Sequence, residues 1–172
     1  DFICCCDQDD YWLPDKIMQL YYAIGDAALV YCDSELVDDD GKAMGKKLSD
    51  LRNMYSGSQT KGFVFSNVVW GHALLFNSNI LHQVLPIPAG IPHDIWLAIR
   101  ACTLGSIKYI NVVLTQYRQH SNTVTSTISK KTTTRKKEQR YNDFIKKRDW
   151  ISILLQYASA GEKDFFSSFL SL

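Results

Sequence analysis

Apolar and polar positions alternate here between short unbroken apolar runs and helical stripes, a pattern that predicts a mixed α/β protein. The run Phe2-Ile3-Cys4-Cys5-Cys6 has no polar interruption and predicts a strand buried on both faces, as in a parallel sheet. Pro14 suits the first position of a helix over 14–24, with Ile17, Leu20, Tyr21 and Ile24 as its apolar stripe and Gly25 as its stop. Ala28 to Cys32 predicts a second strand, and Glu35-Leu36-Val37 continues its extended pattern. Asp39-Asp40-Gly41-Lys42 predicts a turn. Residues 43–62 are polar with few apolar anchors and predict a long loop with room for one helical turn. In 67–76 the last half is strand-like, and Gly71 inside it suggests a bulge or a close backbone approach.

A short helix is expected over 78–84, closed by Pro86 and Pro88. The helix through Ile95–Cys102 has Asp94 at or near its N-cap and Gly105 at its end. Ile107 to Leu114 predicts a strand, with Asn111 as a break. Beyond 122 the chain is Thr-, Ser- and Lys-rich with no strong apolar period until Tyr141. Residues 135–157 then look helical, and 162–172 form a last short apolar helix.

Composition narrows this picture. Hydrophobic residues make up 46% of 172, ample for a core. No run of about 18 apolar residues occurs, so no membrane-spanning helix is expected, and no signal peptide is recognisable. A buried parallel strand needs neighbours, so further natural sequence is expected before Asp1. The five cysteines are odd in number, three of them consecutive, without zinc spacing. They read as small buried apolar residues in a reducing compartment. Net charge is +1, but residues 130–148 hold nine Lys/Arg against two acidic residues, leaving 10 basic against 16 acidic elsewhere. The acidic body and the basic segment are expected to do different things.

The chemistry concentrates in Asp7-Gln8-Asp9-Asp10, where a strand ends and a helix is about to begin. In open α/β sheets ligands bind at that carboxyl edge. Carboxylates this close repel unless a cation or proton neutralises them. Hard oxygen donors suit Mg²⁺ or Mn²⁺ shared with a substrate phosphate. N-capping would explain one Asp, not three. A calcium loop is excluded because Trp12, not glycine, occupies its sixth position. Asp38-Asp39-Asp40 lacks further ligands at loop spacing and reads as a solvated turn.

Four segments in order carry a resemblance. Cys6-Asp7-Gln8-Asp9-Asp10-Tyr11-Trp12-Leu13-Pro14-Asp15-Lys16 resembles the D-x-D region of family 2 glycosyltransferases, closest to rhamnosyltransferase-like members. Asn67-Val68-Val69-Trp70-Gly71 resembles the family's N-x-x-x-G segment. Pro92-His93-Asp94-Ile95-Trp96-Leu97 resembles its H-D-x-W-L segment, and Tyr117-Arg118-Gln119-His120-Ser121-Asn122 its Y-R-Q-H-x-x-N ending. The match spans residues 1–122, leaving 123–172 as a helical extension.

The resemblance implies a GT-A fold, a Rossmann-like and mostly parallel mixed sheet flanked by helices. It implies transfer of a sugar, rhamnose among the candidates, from a dTDP- or UDP-linked donor to a saccharide or lipid-linked acceptor hydroxyl, with inversion, in bacterial surface-polysaccharide synthesis. It assigns Asp7 and Asp9 to the metal, diphosphate and ribose, with Asp10 beside them. It makes Asp94 the catalytic base and has His120 complete the metal or diphosphate shell. Arg118 is a candidate phosphate partner. Trp12, Trp70, Gly71, His72, His93 and Trp96 are candidates for the sugar cleft, with core packing expected to claim at least one tryptophan. The donor's base would be held largely by residues before Asp1, so the chain alone is expected to bind nucleotide sugar poorly. A cytoplasmic location is expected; the basic residues 130–148 read first as a solvated helix face and second as a peripheral contact with the inner membrane face, and nucleic acid is not an expected partner. The rival readings are a metal-dependent nucleotidyltransferase, which would not need Asp94, and a non-catalytic module that binds anionic surfaces.

Overall fold

The computed structural model describes residues 1–64, 67–119 and 148–171. Its centre is strand β3 (Leu29–Val37), in which only Glu35 is not buried. Side chains alternate across a strand, and here both faces are covered. Leu29 and Tyr31 point into the main core, with Trp96, Leu97 and Ile99 of helix α4 (His93–Leu104). Val30 and Cys32 point the other way, against Leu20 and Ile24 of helix α1 (Lys16–Ile24). The result is a mixed sheet between helical layers.

The sheet has the order β1-β5-β3-β6-β2, with β4 paired to β3. Strand β1 is Phe2–Cys4, β2 Tyr11–Trp12, β4 Ala43–Lys47, β5 Leu74–Asn77 and β6 Ile107–Arg118. Only β3 and β6 pair in parallel; the other four pairings among the described residues are antiparallel. The mostly parallel sheet expected from the sequence is corrected to a mixed one. The cause is β5, which lies antiparallel between β1 and β3. Strands β1, β3 and β6 nevertheless share one direction. The apolar run 2–6 is not buried on both faces: Phe2 is 39% exposed and β1 lies at the end of the sheet path.

Several element boundaries also differ. Helix α1 starts at Lys16, with Pro14 two residues upstream and Asp15 at the N-cap. Its buried stripe is Lys16, Leu20 and Ile24, spaced by four, while Ile17 and Tyr21 are about half exposed. Residues 43–62 are not one loop. They contain β4 and the short helix α2 (Leu48–Leu51). The turn at 38–42 is as expected, with Asp38 Oδ1 accepting from the Asp40 and Lys42 amides at 3.1 and 2.9 Å. Asn111 does not break β6. The register jumps from Cys32↔Ile110 to Asp33↔Val113, so Asn111 and Val112 form a bulge in a continuous twelve-residue strand.

Residues 78–84 comprise a 3₁₀ turn and helix α3 (Leu81–Val84). Residues 148–157 are helical (α5), and α6 spans Ala160–Leu170. Ile151, Leu154, Ala158 and Phe166 bury themselves in the main core, so the described part of the C-terminal extension shares the body's core. No helix among the described residues is long and apolar enough to cross a membrane. His120 and the basic segment, except Arg148, lie outside the described residues.

Candidate functional site

The loop from Cys5 to Asp10 leaves the carboxyl end of β1 and leads into β2 at the far side of the sheet. It thereby meets the 3₁₀ turn Gly71–Ala73 that feeds β5. Here His72 is buried, with Nδ1 3.2 Å from Asp10 Oδ2 and 3.6 Å from Asp7 Oδ2. Donor atoms of Asp7, Asp10 and His72 all lie within 4.8 Å of one another. The acidic cluster thus pairs Asp7 with Asp10 and His72, where the sequence expectation paired Asp7 with Asp9 and His120. His72, expected in the sugar cleft, sits at the core of this cluster and stacks on Tyr117 at 4.5 Å.

The two carboxylates are tuned apart. Contact with the His72 imidazole holds Asp7 below the usual carboxylate range, against the opposing effect of burial. Burial pushes Asp10 up, with the nearby His72 and the Arg118 amide opposing it. The Asp10 side chain is only 1% exposed. Its Oδ1 accepts from the Arg118 amide at 3.0 Å, and Oδ2 faces His72 Nδ1 at 3.2 Å.

The donor set fits a divalent ion. Two carboxylates and one imidazole suit Mn²⁺ better than Mg²⁺, which prefers oxygen throughout. His72 Nε2 lies 3.0 Å from Ser34 Oγ. With Nε2–H donating to that hydroxyl, Nδ1 would present its lone pair to a bound ion in place of the proton it directs at the carboxylates, the usual second-partner arrangement of a metal-binding histidine. Ser34, His72 and Asp10 also form a serine–histidine–carboxylate chain. Ser34 is fully buried on β3, however, and a nucleophile there would meet no substrate.

Lys16 is a site neighbour that the sequence reading did not single out. It is 1% exposed, stands 3.8 Å over the Trp12 ring and donates to the His72 carbonyl. Burial lowers its pKa to about 8, partly offset by Cys32, Cys4, Cys6 and Asp10. The signal was present in the i, i+4, i+8 spacing of Lys16, Leu20 and Ile24, which sets the lysine on the buried face.

The second half of the site is the start of α4. Pro92 is the N-cap and Asp94 lies in the first turn. Asp94 Oδ1 accepts from the Ile95 amide at 2.7 Å and Oδ2 from Asn67 Nδ2 at 2.8 Å. Burial raises its pKa, against the hydrogen bonds and the nearby His93. A shared electrostatic influence and one neighbouring contact relate this carboxylate to the acidic cluster. The Cys5 thiol, raised first by burial, also feels both Asp7 and Asp94. His93 packs on Gly71, where a Cβ would lie 2.6 Å from Nε2. The close approach expected at Gly71 is therefore present, on the turn before β5 rather than within it.

Other expected site residues fall elsewhere. Trp96 is 2% exposed in the main core and donates from Nε1 to the Val84 carbonyl at 2.7 Å, so it does not line a cleft. Trp70 is half-buried between two apolar clusters. Trp12 is half-buried beneath Lys16. The Arg118 guanidinium is engaged by the backbone, with Nε donating to the Asp9 carbonyl at 3.1 Å and Nη1 to the Asp39 carbonyl. It ties the acidic loop to the β3–β4 turn. A pocket of about 550 Å³ beside α1, lined by Phe2, Ile17, Met18, Tyr21 and Tyr22 among others, includes none of the cluster residues. No protein-family model matches the chain, and no curated protein matches it.

Proposed function

We propose that this chain carries the metal and acid–base part of a glycosyltransferase of GT-A type that moves a sugar from a nucleoside-diphosphate donor to an acceptor hydroxyl with inversion. What supports this reading is two unlike groups, a candidate ion site and a separate carboxylate, whose neighbouring residues His93 and Gly71 touch. One is the Asp7, Asp10 and His72 cluster, in which the Asp10 side chain is only 1% exposed. The other is the separate carboxylate of Asp94, related to the first through Cys5 and through His93 on Gly71.

Asp7, Asp10 and His72 would hold a divalent ion, Mn²⁺ before Mg²⁺, whose chemistry when bound is to neutralise charge on the departing diphosphate. With the leaving group so stabilised, no proton donor is needed, unlike glycoside hydrolysis with its two carboxyl groups. Asp94 takes the proton from the acceptor hydroxyl. The freed oxygen forms the new bond to the anomeric carbon, and the bond to the diphosphate breaks with its electron pair going to the nucleoside diphosphate. The raised Asp94 pKa makes it a stronger base than an exposed carboxylate. The donor remains a dTDP- or UDP-linked sugar, with rhamnose first among candidates, and the acceptor a saccharide or lipid-linked saccharide reached from the cytoplasmic side.

The test is nucleoside-diphosphate release and product mass with dTDP-rhamnose and UDP-glucose, with Mn²⁺ or with chelator, for the natural protein containing this chain and its Asp94→Asn variant. Metal-dependent sugar transfer that falls at least a hundredfold in the variant is expected. Turnover unchanged in Asp94→Asn, or nucleotide transfer in place of sugar transfer, overturns the reading.

A further inference from the structure

The functional reading uses Asp94 but leaves unexplained the residue that grips it. Asn67 lies outside α4, on the segment leading into the Gly71 turn. Its Oδ1 accepts from the Val69 amide at 3.0 Å, which fixes the amide's orientation. Nδ2 is then turned outward and donates to Asp94 Oδ2 at 2.8 Å. The other carboxylate oxygen accepts from the Ile95 amide at 2.7 Å. Each oxygen of Asp94 thus has one donor and keeps acceptor capacity for a proton. The same segment carries Gly71 and His72, so the amide that orients Asp94 belongs to the strand connection that carries His72 into the acidic cluster.

We propose that Asn67 is a positioning residue for Asp94, a fixed amide that sets the direction of the carboxylate and favours its ionised form. This rests on the reading of Asp94 as the base, but the geometric claim stands apart from it. An N–H donor to a carboxylate stabilises the charged state, so loss of the Asn67 donor moves the Asp94 titration to higher pH. The groups acting on Asp94 are His93 and the Ile95 amide on its own helix and Asn67, and the Cys5 thiol feels its charge. Of these, a charged Cys5 opposes ionisation, and Asn67, the Ile95 amide and His93 favour it.

Two variants separate folding from positioning. Asn67→Ala removes the donor to Asp94 without adding charge, whereas Asn67→Asp keeps an oxygen for the Val69 amide but sets a second carboxylate against Asp94, which raises its titration further. The direct measurement is the titration of the Asp94 carboxyl by carbon NMR in the natural protein, followed by the pH profile of sugar transfer from dTDP-rhamnose or UDP-glucose. The Asp94 titration is expected to move up by about one pH unit in Asn67→Ala and further in Asn67→Asp, and kcat to fall by about tenfold with KM little changed. The acid limb of the kcat profile moves up in parallel. An Asp94 titration in Asn67→Ala that coincides with wild type overturns the proposal, as does a loss expressed wholly in KM. A shifted titration together with wild-type turnover in Asp94→Asn upholds Asn67 as the grip on Asp94 and rejects Asp94 as the base, so the two failures are distinguishable.

Discussion

A methyl group at position 71 would lie 2.6 Å from His93 Nε2 and 3.3 Å from its Cε1. Because His93 is exposed, its ring can swing away at little cost in folding energy. Gly71→Ala is therefore expected to leave the melting temperature within a few degrees of wild type while lowering sugar transfer several-fold, since the displaced ring flanks both Asp94 and Asp7. Thermal melting beside turnover checks this; a large drop in melting temperature, or full turnover, would contradict it. At this scale the sequence was partly legible. The spacing of Asp7, Asp9 and Asp10 marked the loop, and its place after an apolar run marked the sheet edge. Which carboxylates converge depends on how the backbone turns toward His72, a contact 62 residues away along the chain that no local pattern encodes. The fourfold spacing that buries Lys16 with Leu20 and Ile24 was visible, but it ranks below an apolar stripe when charge is taken to mean exposure.

Among elements, the C-terminal helices are held by a carboxylate clasp. The Glu162 side chain caps α6 by accepting from Ser159 Oγ at 2.9 Å, and also accepts from the Thr60 and Lys61 amides at 2.6 and 2.9 Å. Burial pushes its pKa up, but the hydrogen bonds from Lys61, Ser159 and Thr60 outweigh that and hold it below 4.5. A carboxylate whose folded pKa lies below its unfolded value contributes stability above about pH 4.5, and loses that contribution as pH falls through the folded value. Glu162→Gln is expected to flatten the fall in melting temperature between pH 5 and pH 3. Melting curves across that range that run parallel in variant and wild type would show that the clasp contributes nothing. The same scale shows why β6 was misjudged. Asn111 has the composition of a break, but the parallel partner β3 continues past it, and the chain absorbs Asn111 and Val112 as a bulge. Neighbouring strands, which a single segment does not reveal, overrode the local signal. The polar composition of 43–47 concealed β4 in the same way, because an edge strand paired on one side to β3 needs no apolar alternation.

Across the whole molecule, chain order and spatial order diverge in a way that builds the site. Segments around positions 7, 72 and 94 gather at one end of the sheet because β1, β3 and β6 share a direction and β5 returns between them. The mixed α/β class and most helices were legible from periodicity. The antiparallel insertion of β5 was not, since a short apolar run reads the same in either direction. That insertion carries His72 to the acidic loop, so the same feature that departs from a mostly parallel sheet supplies the third member of the cluster. The central claim is that Asp10, not Asp9, joins Asp7 and His72 as a divalent-ion site. Mn²⁺ binding followed by electron paramagnetic resonance, in wild type, Asp10→Asn and Asp9→Asn, tests it most directly. The expected result is an affinity at least tenfold weaker in Asp10→Asn and near wild type in Asp9→Asn; wild-type binding in Asp10→Asn, or loss confined to Asp9→Asn, would contradict the account.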